Sequence, residues 1–269
     1  MPKEEFSISD LKQLYEIEKL SQKKIAEICN VSQSLIGIRI RKCGIQLRER
    51  SEVSLLGNKR TYNVNEDFFK RWTPESSWMY GWVIGDGCYT NPRMLRFTIS
   101  PIDIEVLYKF KELMNSEHPV VTYKSWSKKY QKYYDKSMLY ICSKRIVSNL
   151  KELTYTDIPV ELFNHFLRGF WEAEGSVYWL RHNNCINMDV SQNDKDILIY
   201  ILNNLKLNKV VNGGSIRSNG KTNRNWKLAF SIRDTISIYH YIYNVFGNLF
   251  LTRKKEKMEE LIKRQKEGD

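Results

Sequence analysis

The sequence lacks the features of proteins that are crosslinked, secreted or embedded in a membrane. Its five cysteines and four histidines are widely dispersed, and no two cysteines form a Cys-x-x-Cys pair. This pattern indicates neither a disulfide framework nor a zinc site. No run of about 18 apolar residues occurs, and the first residues, MPKEEFSISD, lack the apolar centre of a signal peptide. We therefore expect an intracellular protein without membrane contact, in a bacterial or phage cytoplasm or in an organelle.

The composition describes a folded and basic chain. Hydrophobic residues make up 42% and aromatic residues 13% of the 269 residues, which suffices for a core and for about two domains. Lysine and arginine outnumber the acidic residues, so the formal net charge is +12 and the pI is near 9.3. Because such a charge attracts polyanions, nucleic acid is the leading predicted partner.

Residues 1–52 show the pattern of a small helical domain. The segment IAEICNVSQSLI places Ala26 in one helix, a left-handed turn at Asn30, and Ser32 as the N-cap of a helix that runs to about Lys42. This pattern resembles a helix-turn-helix DNA-binding domain. The resemblance implies base-edge contacts from the start of the last helix, by Gln33, Ser34 and Gly37. It implies phosphate contacts from the basic residues that follow, Arg39, Arg41, Lys42, Arg48 and Arg50. The open alternative is a three-helix bundle that only packs against the rest of the protein.

Residues 53–75 have no sustained periodicity and carry Gly57 and Pro74, which is typical of a linker. A duplication follows. The segment GWVIGDG at 81–87 aligns with GFWEAEG at 169–175, and the register continues through the strands downstream. We therefore predict one repeat at 76–158 and a second, with a C-terminal helix, at 159–269.

Both repeats have the same predicted order of elements, αββαββα, so the predicted fold class is α+β with two pseudosymmetric repeats after an all-α domain. The clearest predicted strands are Met94–Ile99, Val120–Ser127, Ser137–Cys142, Ile186–Val190, Ser215–Ser218 and Trp226–Ile232. The second helix of each repeat is predicted at Asp103–Asn115 and Asp194–Leu205, after a Ser-x-x-Asp cap.

The first helix of each repeat carries small residues four positions apart, which lets the two helices pack closely. These residues are Gly81 with Gly85, and Gly169 with Ala173. Gly87 and Gly175 are predicted C-terminal stops that leave an acid, Asp86 or Glu174, in the last turn. Two carboxylates at helix C-termini concentrate negative charge, which raises their pKa values unless a cation binds. Mg²⁺ suits such a site, because water and phosphate oxygens complete its coordination.

These paired segments resemble the two motifs of a single-chain LAGLIDADG homing endonuclease, and the similarity covers about residues 76–260. It implies that Asp86 and Glu174 bind Mg²⁺ or Mn²⁺ and support hydrolysis, with help from the carbonyls of Gly85 and Ala173. It also implies that Lys254, in the segment LTRKK, stabilises charge in the transition state. The alternative for Lys254 is a place on a solvated Lys/Glu helix. The sixth motif position, Ile84 or Glu172, is variable in the family and not expected to be catalytic.

The resemblance further implies a saddle of two β-sheets over duplex DNA. Strand alternation points Leu95, Phe97 and Ile99 into the core and the polar residues between them to the other face. DNA contacts are expected from that face and from the hairpin tips, by Arg96, Thr98, Lys124, Trp126, Lys128, Arg181, Asn187, Asp189, Arg217, Lys221, Arg224 and Lys227. The alternative for this set is a solvated sheet face.

Together these features predict a site-specific double-stranded DNA endonuclease that acts as a monomer, because both motifs lie in one chain. Two other functions stay open: a non-cleaving DNA-binding transcription regulator and an intron RNA maturase. The two acids favour cleavage over the regulator. Binding to intron RNA compared with duplex DNA would separate the maturase from the endonuclease.

Overall fold

The computed structural model of the chain describes residues 7–49, 62–218, 225–244 and 247–267. The chain divides into two compact units, an N-terminal unit at Met1–Thr61 and a larger unit at Tyr62–Asp269. Among the described residues, no helix has both the length and the apolar character needed to cross a membrane.

In the described part of the N-terminal unit, α1 lies at Ile8–Lys12 and continues as a π-helical turn at Gln13–Ile17, α2 lies at Gln22–Ile28 and α3 lies at Gln33–Lys42. Ser21 and Ser32 cap α2 and α3, since each hydroxyl accepts a hydrogen bond from the backbone N–H three residues on. Asn30, between these helices, has a φ of 50°. The Ser32 cap and the left-handed turn confirm the local predictions, and a small separate core includes Leu11, Tyr15, Ile25, Ile36 and Ile40.

Two residues that were expected to face DNA are used inside this unit. Gly37 is buried, and a Cβ there would lie 3.2 Å from the side-chain oxygen of Gln22. Arg48 packs over the ring of Tyr15 and donates hydrogen bonds to the carbonyls of Tyr15 and Leu20. Gly37 and Arg48 therefore contribute to the packing of this unit, and their contacts with DNA remain predictions.

The larger unit repeats one arrangement of helices and antiparallel strands. Its first half contains α4 at Pro74–Gly85, β1 at Gly87–Cys88, β2 at Met94–Ile99, α5 at Glu105–Leu113, β3 at Val120–Ser127, β4 at Lys132–Cys142 and α6 at Lys144–Glu152. Its second half contains α7 at Phe163–Glu174, β5 at Gly175–Leu180, β6 at Cys185–Gln192, α8 at Lys195–Leu207, β7 at Ser215–Ser218, β8 at Trp226–Ala229 and α9 at Ile232–Tyr243. A last helix, α10, occupies Thr252–Glu267.

Each half forms a four-stranded antiparallel sheet, in the order β1-β2-β4-β3 or β5-β6-β8-β7. Leu95, Phe97 and Ile99 on β2 are buried, as are Ile186, Met188 and Val190 on β6, so the predicted alternation is confirmed. One continuous cluster of buried residues joins both halves. The two halves therefore share a core.

Three local predictions are wrong. Residues 62–73 are not a linker, because Phe69 is buried in the core of the larger unit and Asn65 donates to the carbonyl of Met114; residues 53–61 lie outside the described residues. Strand β4 begins at Lys132, five residues before its predicted start. Ile232 begins a helix rather than ending a strand, because Ser231 caps the N-terminus of α9.

Helices α4 and α7 pack against each other through their small residues. A Cβ on Gly81 would overlap the backbone of Phe166 and Phe170, and one on Gly169 would overlap the carbonyl of Trp78. A Cβ on Gly85 would lie 2.5 Å from that of Ala173. The neighbouring atoms are largely backbone, which cannot move aside as a side-chain end can. The predicted close approach of the two helices is confirmed.

Gly169→Ala is expected to lower the free energy of unfolding by about 3 kcal/mol, because the added methyl group must push α4 and α7 apart. Urea unfolding followed by circular dichroism measures this change. Gly213→Ala is the matched control, since a Cβ at Gly213 meets no atom within 4 Å. Equal stability of Gly169→Ala and Gly213→Ala would contradict the proposed constraint.

Candidate active site

The close packing of α4 and α7 brings two acids to one place. Asp86 directly follows α4, and Glu174 is the last residue of α7. A Cβ on Gly85 would lie 3.1 Å from Cγ of Glu174, so the two helices are still in contact where they end. Both acids therefore sit at the C-terminal ends of adjoining helices, where each helix already contributes partial negative charge.

Both helices end at these glycines as predicted, because Gly175 is the C-cap of α7 and Gly87 follows Asp86, the C-cap of α4. Gly175 has an extended backbone, with φ of −80° and ψ of 150°, so it is not a left-handed stop. A Cβ at Gly175 would overlap the ring of Trp171, and one at Gly87 would lie 2.5 Å from the carbonyl oxygen of Val83. Each glycine is needed because the chain turns back against the preceding helix.

The carboxyl groups of both acids bind protons more tightly than usual. Burial, and then the charge of Asp86, raise the pKa of Glu174 to about 7, while Lys254 and a hydrogen bond from Gln192 act in the opposite direction. Asp86 is partly open to solvent, yet the protein around it removes enough water to raise its pKa as well. The sequence predicted this rise from like charge, but loss of hydration is the larger cause.

Lys254 enters the site from the first turn of α10. Its ammonium group donates to the carbonyl of Gly175 at 2.8 Å and lies 3.4 and 3.5 Å from the carbonyls of Trp171 and Ala173. A cation is favourable there because these carbonyls form the C-terminal end of α7. Burial lowers the pKa of Lys254 to about 8. The structure thus brings Lys254 together with the two predicted acids, and it is not on a solvated helix face.

The segment that carries Lys254 is held by acids from both halves of the unit. Arg253 forms a bidentate ion pair with Asp103, at 2.8 and 2.9 Å. The backbone N–H and the hydroxyl of Thr252 donate to Glu105 at 2.7 and 2.9 Å. These contacts fix the start of α10, so Lys254 reaches the helix ends from a defined position.

Glu172 contributes the third anchor, and sequence reasoning assigned it no role. Its side chain is 1% exposed, and its carboxylate accepts hydrogen bonds from the indole N–H of Trp78, the hydroxyl of Tyr243 and the backbone N–H of Leu251. Burial raises its pKa to about 7, and the three donors oppose that rise. The corresponding residue of the first repeat is Ile84, which cannot accept hydrogen bonds. The sequence contained one signal for this role, namely a charged residue at a position where the other repeat has an apolar one.

The residues present suit a divalent cation that keeps much of its water. Asp86 and Glu174 supply carboxylates, and Gly85 and Ala173 supply carbonyls, which are the hard oxygen donors that Mg²⁺ prefers. Within the described part of the chain, no group of three or more His, Cys, Asp or Glu residues could hold a metal ion. A cation here would depend on water and phosphate for its remaining ligands. The carbonyl of Ala173 already lies near Lys254, so Asp86 and Gly85 form the more open half of the site.

The second sheet presents the predicted polar face. The pairing of β6, β7 and β8 places Asn187, Asp189, Arg217 and Lys227 on the side opposite the buried residues. Asp189 is itself only 4% exposed, and its carboxylate accepts from Tyr178 at 2.8 Å and from Lys227 at 3.1 Å. In this conformation Asp189 positions Tyr178 and Lys227, and its own contact with DNA remains a prediction.

The first sheet divides the predicted contacts between its two faces. Arg96 and Thr98 share a face with Tyr123, Lys136 and Tyr140, which the sequence did not single out. Lys124 and Trp126 pair with Asp135 and Tyr133, and by this register they lie on the side of Leu139 and Phe97. Placing them with Arg96 was therefore wrong, because the predicted alternation was not carried across the hairpin.

The other predicted contacts lie in turns or outside the described residues. Lys128 and Arg181 are exposed in the turns that join β3 to β4 and β5 to β6. Gln33, Ser34, Arg41 and Lys42 are exposed on α3, and Arg39 is half-buried. Arg50, Lys221 and Arg224 lie outside the described residues. Their roles in DNA binding remain predictions.

Two repeats of helices and antiparallel strands, joined at a pair of closely packed helices, define a fold also found in a homing endonuclease. The structure of I-DmoI in complex with DNA and Ca matches with a TM-score of 0.50 and 16% identity, over 70% of this chain and 97% of that chain. At this identity the match shows the fold alone.

Further solved structures are similar at lower scores. The homing endonuclease I-WcaI bound to its DNA recognition sequence has a TM-score of 0.49 and 14% identity, covering 73% of this chain and 91% of that chain. The N-terminal LAGLIDADG domain of DUF199/WhiA has a TM-score of 0.45 and 20% identity, covering 66% and 89%. No family model and no curated protein matches the sequence.

Asp86→Asn is expected to stabilise the metal-free protein at about pH 8 by about 1 kcal/mol, with less effect at about pH 5. The raised pKa of Glu174 means that its contribution to stability is present at low pH and lost as the pH rises through about 7. Removing the charge of Asp86 lowers the pKa of Glu174 and so reduces the stability that is lost at high pH. Urea unfolding in EDTA measures the effect.

The control for this prediction is Glu260→Gln, which removes one exposed negative charge from α10. It should change stability little at either pH. A stability difference for Asp86→Asn that does not grow between the two pH values would contradict the coupling between the two acids.

Proposed function

We propose that the chain is a metal-dependent endonuclease that cuts both strands of duplex DNA at a specific site and acts as a monomer. The observation that carries this proposal is the meeting of Asp86, Glu174 and the half-buried ammonium group of Lys254 at the ends of α4 and α7. Two acids with raised pKa values destabilise the metal-free site, and a cation relieves this cost. A protein that only binds DNA has no need of such an arrangement.

In the proposed mechanism, Asp86 and Glu174 hold Mg²⁺ or Mn²⁺ together with the carbonyls of Gly85 and Ala173. When bound, the metal activates water and stabilises the leaving oxygen in phosphodiester hydrolysis. Gln192 donates to Glu174 at 3.3 Å and orients its carboxylate. Lys254 places a positive charge near the scissile phosphate, where it stabilises the additional negative charge of the transition state.

We further propose that the polar sheet faces carry duplex DNA across this site. Arg96, Thr98, Asn187, Arg217 and Lys227 are placed on these faces by the strand pairing. Side chains on a β-ribbon can reach base edges in the major groove. The N-terminal unit would read further bases through the start of α3.

Asp86→Asn and Glu174→Gln are each expected to reduce cutting by at least about 100-fold, because each change removes a charge that the metal requires while keeping the side chain's size. Lys254→Met should reduce cutting by about tenfold or more, because it removes the positive charge that stabilises the transition state. A target is first selected from a randomised duplex library in Ca²⁺ and then cut in Mg²⁺.

Binding in Ca²⁺ and circular dichroism show whether these variants still fold and hold DNA. Glu260→Gln serves as the charge control and should cut like the unchanged protein. Full cutting by Asp86→Asn or by Glu174→Gln would remove that acid from the mechanism, and full cutting by the double variant would overturn the endonuclease proposal.

For the N-terminal unit, Gln33→Ala with Ser34→Ala is expected to relax base preference at one flank of the selected site, because these side chains open the proposed recognition helix. Lys42→Ala should weaken binding about equally for all sequences, since a phosphate contact carries no base information. Repeating the library selection with each variant measures both effects. Gln46→Ala, another exposed change in this unit, is the control. An unchanged preference in the double variant would rule out base reading by the start of α3.

A further inference from the structure

The hairpin formed by β3 and β4 extends beyond the rest of its sheet. Strand β2 pairs with β4 only from Ser137 to Cys142, whereas β3 continues to pair with β4 as far as Lys132. Residues 123–136 therefore form a two-stranded ribbon with its turn, without β2 alongside. Such a ribbon has little apolar core of its own.

This ribbon combines aromatic rings with positive charge at high density. Its fourteen residues contain five aromatic side chains, five lysines and one acid. Trp126, Tyr130 and Tyr133 are 50%, 60% and 64% exposed. A soluble protein seldom leaves so much aromatic surface in water unless it binds something.

The register shows that one aromatic pair is separate from the proposed duplex surface. Trp126 lies directly opposite Tyr133, with ring centroids 4.9 Å apart, on the side of the sheet that faces away from Arg96 and Thr98. Lys124 lies on this same side, two residues from Trp126. Lys128 and Lys129 follow in the turn beside it. The pair and its lysines are therefore available to a ligand that the duplex face does not hold.

Aromatic faces flanked by lysines suit one class of partner. Single-stranded nucleic acid offers flat bases that stack on tryptophan and tyrosine, and phosphates that attract lysine. In a duplex the base faces are covered by their neighbours, so only edges and phosphates are accessible. Cross-strand packing of Trp126 and Tyr133 stabilises the ribbon, but it leaves half or more of each side chain exposed.

The position of the ribbon also relates it to the candidate active site. Tyr134, Asp135 and Lys136 of β4 line the same cleft as Asp86 and Lys254. The strand that carries Tyr133 therefore begins beside the proposed cleavage centre.

We infer that Trp126 and Tyr133, with Lys124, Lys128 and Lys129, bind unpaired nucleotides of single-stranded nucleic acid by base stacking. This site is additional to the proposed duplex surface and does not depend on cutting. The unpaired strand can be DNA or RNA, since both offer the same bases and phosphates.

The test replaces Trp126 and Tyr133 together by valine in the full chain, which keeps β-strand propensity and net charge but removes both rings. Binding of labelled oligo(dT) and oligo(rU) of about 16 nucleotides, and of a duplex of the same length, is measured by fluorescence anisotropy. Tyr108→Ala is the matched control, because Tyr108 is a similarly exposed aromatic residue, at 54%, that belongs to α5 and not to the ribbon.

The expected result is a loss of oligonucleotide affinity of about tenfold or more in the valine variant, with duplex affinity within about twofold. The slope of affinity against salt should be unchanged, because no phosphate contact is removed. Comparison of the two oligonucleotides identifies the preferred sugar. Trp126→Leu alone, which keeps an apolar side chain, should show an intermediate loss.

Two outcomes would overturn the inference. An equal loss for duplex and oligonucleotide would assign the pair to the duplex surface, and no loss for either would leave the aromatic rings for a protein partner. Asp86→Asn with Glu174→Gln should retain oligonucleotide binding. Failure of the endonuclease proposal would therefore appear in cutting alone and leave this result intact.

Discussion

The close approach of α4 and α7 is the constraint on which the larger unit depends. Gly81 and Gly169 contact the opposite helix through backbone atoms, so no side chain separates the two halves at these points. Such contact gives close packing, but it also forces the residues at the end of each helix into the same small volume. Asp86 and Glu174 follow the two helices, so holding both carboxylates close together at the site costs free energy. The shared core of large aromatic residues around the helices stabilises this arrangement.

Charge at this centre is balanced by an element outside the duplication. Helix α10 has no counterpart in the first half, yet it delivers Lys254 to the carbonyls that end α7. Its start is held by Asp103 and Glu105 from one half and by Glu172 from the other. The two repeats therefore have similar folds but different electrostatic surroundings. Near Glu174 the ammonium group is in place, whereas Asp86 has the more open position.

Strand pairing decides which side chains share a face on each of the two sheets. On the second sheet, Asp189 is buried and accepts hydrogen bonds from Tyr178 and Lys227. On the first sheet, the same alternation separates Arg96 from Trp126 across the β3 and β4 hairpin. A basic protein can thus present two distinct surfaces on one hairpin, because each strand residue faces the side opposite to its neighbour.

The sequence by itself determined the duplication, most strands and the two acids, because these follow from periodicity and from spacing within short segments. The left-handed Asn30 and the serine caps were predictable for the same local reason. Only the tertiary structure decided the roles of Glu172, Asp103 and residues 62–73, since their partners lie far away along the chain. It also decided the side on which Trp126 lies. Alternation shows which residues of one strand share a face, but the pairing of two strands decides which residues of both strands lie on the same face.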